Sequence, residues 1–397
     1  MPASQRIYLD HAATSWPKMP GVVEACVAFQ RQIGASAGRG VYRSAASAER
    51  IVESTRKALA SLIGAQHPGQ IAFTSNGTMA LYVAILGVLH ANDLRDQHVV
   101  TTTTEHNSVL RMLAKLEDER GLSWTAVPCD HHGRVAIDAL RGAMRPNTQL
   151  VIVNHASNVT GVVQDIATIG QAAHANHALL LVDAAQSIGY VEIDAARQPF
   201  DLLVAPGHKG LGGMLGTAFI YSADSVRDRL RCPWIGGTGR QSDRLRDAFS
   251  WTESVESGNL NVPAVASLEA SLKQLPSCAD FASEWTPKLA TIIDALSGVP
   301  GLRVLATSDP SIPNEPLAPV ISLTSDMFGC HELAMLLDQE FGIEARSGYH
   351  CTALMHRDLG TETHGGTLRI SFGHTSTQHD FDAAIEAMNW LRKLHTA

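Results

Sequence analysis

The chain of 397 residues has no apolar run of the ~18 residues that a membrane-spanning helix needs, so no part of it reads as a transmembrane segment. It opens MPASQRIYLDHAATS, without the apolar stretch of a secretory signal, and the expectation is a soluble cytoplasmic protein. Cysteine is sparse. The six, at 26, 129, 232, 278, 330 and 351, never stand as CxxC, which speaks against a disulfide framework or a zinc knuckle. Positive charge is also short: 31 Lys+Arg against 39 Asp+Glu leave a formal net charge of −8, not the basic surface that nucleic acid or an anionic membrane attracts. Nothing reads as a dinucleotide fingerprint, a P-loop or a nucleophile elbow.

What is present is globular. Hydrophobic residues make up 45% and charged residues 18%, and the length suits two domains. Short apolar runs recur at 71–74, 99–102, 125–128, 150–153, 179–182, 202–204 and 217–221, with helix-like segments between most of them. That rhythm predicts βα units in a mainly parallel sheet buried on both faces. Beyond about residue 250 the texture changes. Helices are expected at 264–275, 285–297, 331–340 and 380–394, with strands at 302–305 and 320–323, which make a smaller α+β module. The Pro- and Ser-rich stretch 308–319 reads as a surface loop.

A parallel sheet binds ligands where its strands end, so the residues that follow each run are the ones to inspect. Ser75-Asn76-Gly77-Thr78 follows the first run and opens a helix, a setting suited to phosphate or simply to an N-cap. Thr104-Glu105-His106-Asn107 follows the second. Asn158 lies in HASNVTG, which alone passes for a turn. Asp183 ends the apolar run LLLVD and, if buried, needs a cation or strong donors. Lys209 stands among small residues in Gly207-His208-Lys209-Gly210, where a lone lysine is usually solvated. Taken together, a phosphate cradle, a buried carboxylate and a lysine are what pyridoxal 5′-phosphate requires.

On YLDHAATS (8–15), TTEHNSVL (103–110), HASNVTG (155–161), VDAAQS (182–187), GHKG (207–210), RSGYHC (346–351) and RISFGHT (369–375), the chain resembles the cysteine desulfurases of the class V aminotransferase superfamily, specifically their short-loop group, which includes selenocysteine lyases. The resemblance implies a fold-type I α/β enzyme with a seven-stranded, mainly parallel sheet in a large domain (17–255). Residues 1–16 and 256–397 would form the small α+β domain. It implies pyridoxal 5′-phosphate as cofactor, Lys209 as its Schiff-base lysine, and Asp183 as partner of the ring nitrogen. Asn158 and Gln186 would lie near the ring oxygen, and His106 would stack on the ring and move protons. Gly77, Thr78 and His208 would hold the phosphate. Cys351 would carry the persulfide and Arg369 would grip the substrate carboxylate, with Arg346 a second candidate for that pocket. The implied partners are L-cysteine or selenocysteine, a second copy of the chain whose Asn259 reaches across, and a sulfur-acceptor protein.

Several positions depart from the family pattern: Pro206 precedes GHKG where a hydroxyl residue is usual, Asn259 replaces a threonine, Met79 a glutamate, and Thr352 follows the cysteine where alanine is common. Three other expectations stand beside these roles. His350 and Arg346 are candidates for the cation beside Cys351. Arg369, in the apolar context Leu368-Arg369-Ile370, also reads as an edge-strand arginine facing water. A metal site on His174/His177 or on His350/Cys351/His356 is the competing reading from another class.

Overall fold

The computed structural model describes residues 6–38, 40–234, 236, 250–305 and 316–396. The first strand, β1 (Ile7–Tyr8), is two residues long and exists because it pairs in parallel with Ile343–Glu344 from the far end of the chain. The large sheet follows: β2 (Ile71–Thr74), β3 (His98–Thr102), β4 (Ser123–Val127), β5 (Thr148–Asn154), β6 (Leu179–Asp183), β7 (Leu202–Pro206) and β8 (Ala218–Ser222). Its order is β2-β8-β7-β6-β5-β3-β4, and β8 alone runs against the rest. The seven expected strands are therefore all found, in a mainly parallel sheet.

The middles of the central strands, 150–153, 179–182 and 202–205, are apolar on both faces because helices cover both. Val151, Val153, Leu180, Val182 and Leu203 enter one core, and Leu150, Ile152, Leu179, Leu181 and Leu202 the other. This alternation is the period of two that a pleated strand imposes.

A second sheet is built from β9 (Leu302–Val304), β10 (Val320–Ser325), β12 (Arg346–Gly348) and β13 (Thr367–Ser371), in the order β12-β13-β10-β9; the strand Ile343–Glu344 that pairs with β1 is β11. The helices Cys278–Leu296, Cys330–Phe341 and Gln378–Thr396 pack Trp285, Leu289, Leu333, Leu337 and Leu391 into its core. The first of these begins seven residues before the expected 285, because Ser277 caps it by accepting the Asp280 N–H at 3.0 Å. Helix Val262–Leu272 lies past residue 255, yet Val262, Val265 and Leu268 sit in the large-sheet core. The loop expected at 308–319 falls outside the described residues as far as 315. Among the described residues, no helix is long and apolar enough to cross a membrane.

Candidate active site

Because β5, β6 and β7 run in the same direction, their carboxyl ends share one edge of the sheet, where Asn154 lies beside Asp183 and Pro206 extends past it on β7. A cavity of about 290 Å³ opens there. The sequence-derived residues Gly77, Thr78, His106, Asn158, Asp183, Gln186, His208, Lys209, Arg346, Cys351 and Arg369 all line it. Asn259 does not. It is exposed, two positions before the helix cap Asn261, whose side chain accepts the Ala264 N–H at 3.3 Å.

Lys209 sits in a loop with no room to spare: a Cβ on Gly207 would come within 2.3 Å of Thr217 Oγ1, and one on Gly210 within 2.1 Å of Ile188 O. The carbonyl of His208 anchors the loop to the N-terminal segment, accepting Ser15 N–H at 2.9 Å and Ser15 Oγ–H at 3.0 Å. Burial lowers the Lys209 ammonium to about 8, with Arg369 and Arg346 adding to the shift and Asp183 opposing it. Asp183 shifts the other way, raised by burial against the N–H of Ala185 at 2.9 Å and the charge of Lys209.

The two strand-end helices are capped from the pocket. Asn76 Oδ1 accepts the Met79 N–H at 2.9 Å, and His106 Nδ1 accepts the Ser108 N–H at 3.0 Å. Burial holds the His106 imidazole down at about 4, so the ring is neutral. With Nδ1 accepting, its proton sits on Nε2. Beside His106, Glu105 is fully buried; its Oε1 accepts Thr102 Oγ1–H at 2.7 Å and Asn154 N–H at 2.9 Å, and its Oε2 has no partner. Burial raises its carboxyl to about 8. The folded chain thus keeps a proton that the unfolded glutamate releases above its ordinary 4.5. Stability is lost as pH climbs through that interval. Glu105→Gln removes this loss: thermal melts at about pH 5 and about pH 8 should differ less for the variant than for the parent.

Cys351 follows β12 in a loop that is strained and tied down. His350 (φ 48°) and Cys351 (φ 62°) are consecutive left-handed residues, each costing on the order of 1 kcal/mol. Three bonds hold them: Asn107 N–H to Cys351 O at 2.7 Å, Asn158 Nδ2–H to His350 O at 2.6 Å, and Thr352 N–H to Tyr349 O at 2.9 Å. The His350 carbonyl can only accept, so the Asn158 amide orientation is settled, and the Thr352 hydroxyl donates to Asn158 Oδ1 at 2.7 Å. Thr352, a departure from the family pattern, thus fastens the cysteine loop to Asn158 in the cavity lining.

Of the two cations proposed for Cys351, Arg346 is in place, its Nη2 3.5 Å from the sulfur. His350 is not a cation. Burial presses its ring down to about 2, and its Nε2 faces Thr367 Oγ1 at 2.9 Å. Arg369 is 1% exposed, which overturns the water-facing reading: β13 lies inside its sheet, not at the edge. Its Nη2 pairs with Asp10 Oδ1 at 2.6 Å, its Nη1 donates to Asn158 O at 3.1 Å, and its Nε is unpaired. Burial lowers its guanidinium from the ordinary value, and Asp10 resists the shift. Arg346 stands directly opposite Arg369 in the β12–β13 register, so two guanidinium groups converge on one wall. Like charges placed so repel, and an anion between them relieves the repulsion.

The metal reading fails on geometry. His174 Nε2 bonds Asp201 at 2.9 Å, the rings of His350 and His356 lie 6.1 Å apart, and no metal-holding group of three or more His, Cys, Asp or Glu assembles among the described residues. Gly34-Ala35-Ser36-Ala37-Gly38 does carry the GxSxG spacing, contrary to the reading that no elbow sequence is present. It follows a helical turn (Phe29–Ile33) rather than a strand, so it is no nucleophile elbow. Sequence reasoning missed Ser108 and Asn154 in the pocket wall and the Asp10 partner of Arg369; Asp10 and Ser108 lay inside motifs already singled out.

A lysine and a buried carboxylate at the strand ends of a mainly parallel sheet, beside a helix-borne hydroxyl cradle, define the class: a fold-type I pyridoxal-phosphate enzyme. The chain belongs to the class-V aminotransferase family, whose model it matches over residues 7–384. It is 30% identical over 390 residues to a protein named "Probable cysteine desulfurase" in Methanothermobacter thermautotrophicus, covering 96% of this chain and 94% of that one. Among solved structures it resembles the apo cysteine desulfurase of Thermococcus onnurineus NA1 (TM-score 0.85, 27% identity, 98% of this chain and 95% of that chain). It also resembles the cysteine desulfurase CsdA of Escherichia coli (TM-score 0.84, 25% identity, 98% and 95%).

Proposed function

We propose that the chain binds pyridoxal 5′-phosphate in this cavity and removes sulfur from L-cysteine, leaving L-alanine and a persulfide on Cys351. The observation that carries the reading is that Lys209 and Cys351 open on the same cavity, with Arg346 3.5 Å from the sulfur. The residues fit the cofactor. Asp183 is a buried carboxylate that a protonated ring nitrogen would neutralise. Gly77, Thr78 and His208 would hold the phosphate, His106 would face the ring, and Gln186 and Asn158 would lie on the oxygen side; all of them line the cavity. Bound there, the cofactor supplies an electron sink that lets the substrate's Cα–H bond and then its C–S bond break.

The protein's part is positioning and proton handling. Arg346 and Arg369 bind the substrate carboxylate between them. The Lys209 amine, held near 8, is free enough at neutral pH to act as a nucleophile and to take the Cα proton. The His106 Nε2–H is the donor on the ring side. Cys351 attacks the substrate sulfur; the S–S bond forms as the C–S bond breaks, and the electron pair left on carbon takes up a proton. Cysteine and one protein thiol become alanine and one persulfide, with no outside oxidant. The loop from Gly348 to Met355 is short, which supports the short-loop group. Asn259 is exposed and away from its own cavity, which supports a homodimer in which it reaches the partner's phosphate. A sulfur-acceptor protein would take the persulfide sulfur.

Incubation with cysteine tests the reading: alanine and protein-bound sulfur should form in equal amounts, whereas pyruvate would sink desulfuration in favour of β-elimination. Selenocysteine, offered in parallel, separates a selenocysteine lyase from a desulfurase by its smaller dependence on Cys351.

For the carboxylate wall, Arg369→Ala should raise KM for cysteine by about 30-fold or more, the loss of a charge-assisted fork in a desolvated pocket. Lysine should rescue only part of it, since a point charge cannot copy the fork. The variant should also melt earlier, because Asp10 loses its partner. Steady-state kinetics with unchanged kcat/KM would leave Arg346 as the sole carboxylate ligand.

A further inference from the structure

We propose that Ser108 is a phosphate-holding residue of the cofactor seat, its hydroxyl supplying a donor that Pro206 cannot. The inference rests on the cofactor reading above. Pro206 ends β7 in the cavity lining, beside Gly77, and has neither a hydroxyl nor an N–H to offer. Ser108 and Thr78 stand in the first turns of the helices Asn107–Arg120 and Gly77–Val88. Their hydroxyl oxygens lie 2.9 Å apart, and both residues line the cavity. Two helix N-termini therefore deliver their positive ends and two hydroxyls to one point.

The Ser108 hydroxyl can be released to a ligand without loosening His106. His106 Nδ1 has a single lone pair, and the Ser108 backbone N–H already caps it at 3.0 Å. The 2.8 Å approach of Ser108 Oγ to the same nitrogen duplicates that bond. Between Thr78 and Ser108, two hydroxyl protons serve one mutual bond, so with Nδ1 held by the backbone cap the second can turn into the cavity. A phosphate oxygen beside the pair would draw both, and the ring of His106 would keep its tautomer through the backbone cap alone.

The rival account is that Ser108 acts only by steadying His106, which faces the ring rather than the phosphate. Pyridoxal and pyridoxal 5′-phosphate differ by the phosphate alone, so they separate the two. The apo protein, its Ser108→Ala and Ser108→Thr variants, and Ser108→Ala combined with Pro206→Ser would be titrated with each ligand by tryptophan fluorescence. Apo melting temperatures would confirm that each variant folds. Ser108→Ala should weaken pyridoxal 5′-phosphate by about 10-fold and leave pyridoxal unchanged, the loss of one hydrogen bond to a charged group. Ser108→Thr should stay near the parent, and Pro206→Ser should recover affinity by supplying a hydroxyl at that lining position. Equal losses on both ligands, no loss on either, or no recovery overturns the proposal. A parent protein that binds neither ligand overturns the cofactor reading instead.

Discussion

Replacing Cys351 with serine should lower sulfur removal from cysteine by at least about 10³-fold while leaving cofactor binding at the parent's level. The two effects separate because of where the residue sits. Cys351 Sγ touches Arg346, and its backbone carbonyl is held by Asn107 N–H, so serine keeps every backbone bond of the loop. What serine lacks is a polarisable sulfur nucleophile: its hydroxyl oxygen is far less able to attack another sulfur at neutral pH. The strain of His350 and Cys351 gives a second reason. The left-handed backbone points the side chain into the cavity, and the bonds from Asn158 and Asn107 keep it there. The bland alternative is that Cys351 is an inert cysteine in a loop. Alanine formation measured on Cys351→Ser decides between them. Full activity would mean that sulfur leaves without a persulfide at this position.

The large sheet was legible because its strands are buried on both faces, and continuous apolar runs such as LLLVD need no tertiary information to stand out. The two- and three-residue strands β1, β11 and β12 were not, since each exists only through pairing with distant chain, as Ile7 does with Ile343. The pocket divides the same way. Lys209 and Asp183 announce themselves by following buried strands. The Arg369–Asp10 ion pair joins residues 359 apart, and the pairing of Arg346 with Arg369 is a matter of register. His350 shows the opposite error: proximity in sequence to Cys351 suggested a cation, whereas burial leaves the ring neutral. Thr352 was noticed only as a departure; its bond to Asn158 Oδ1 gives that departure a physical role.

Lys209→Ala should abolish covalent attachment of the cofactor and lower turnover by at least about 10³-fold. Only an unprotonated amine can make that attachment, and Lys209 is lowered to about 8 by burial, so the rate of attachment in the parent should rise with pH up to and through that value. A competitor exists. Lys18 is also lowered to about 8 by burial, and its Nζ lies 2.8 Å from Ser15 Oγ and 3.4 Å from His208 O, against the same loop. Two differences favour Lys209. It lines the cavity with Asp183, whereas Lys18 does not, and the Lys18 ammonium is already committed to those two acceptors. Borohydride reduction of the loaded parent should therefore tag the peptide carrying Lys209 alone, and the Lys209→Ala protein should carry no tag. The variant should still bind the cofactor non-covalently through the phosphate seat, because Gly77 and Thr78 lie at the start of another helix and do not depend on the lysine. A tag on Lys18 in the parent protein would move the reactive amine out of the cavity and end the assignment.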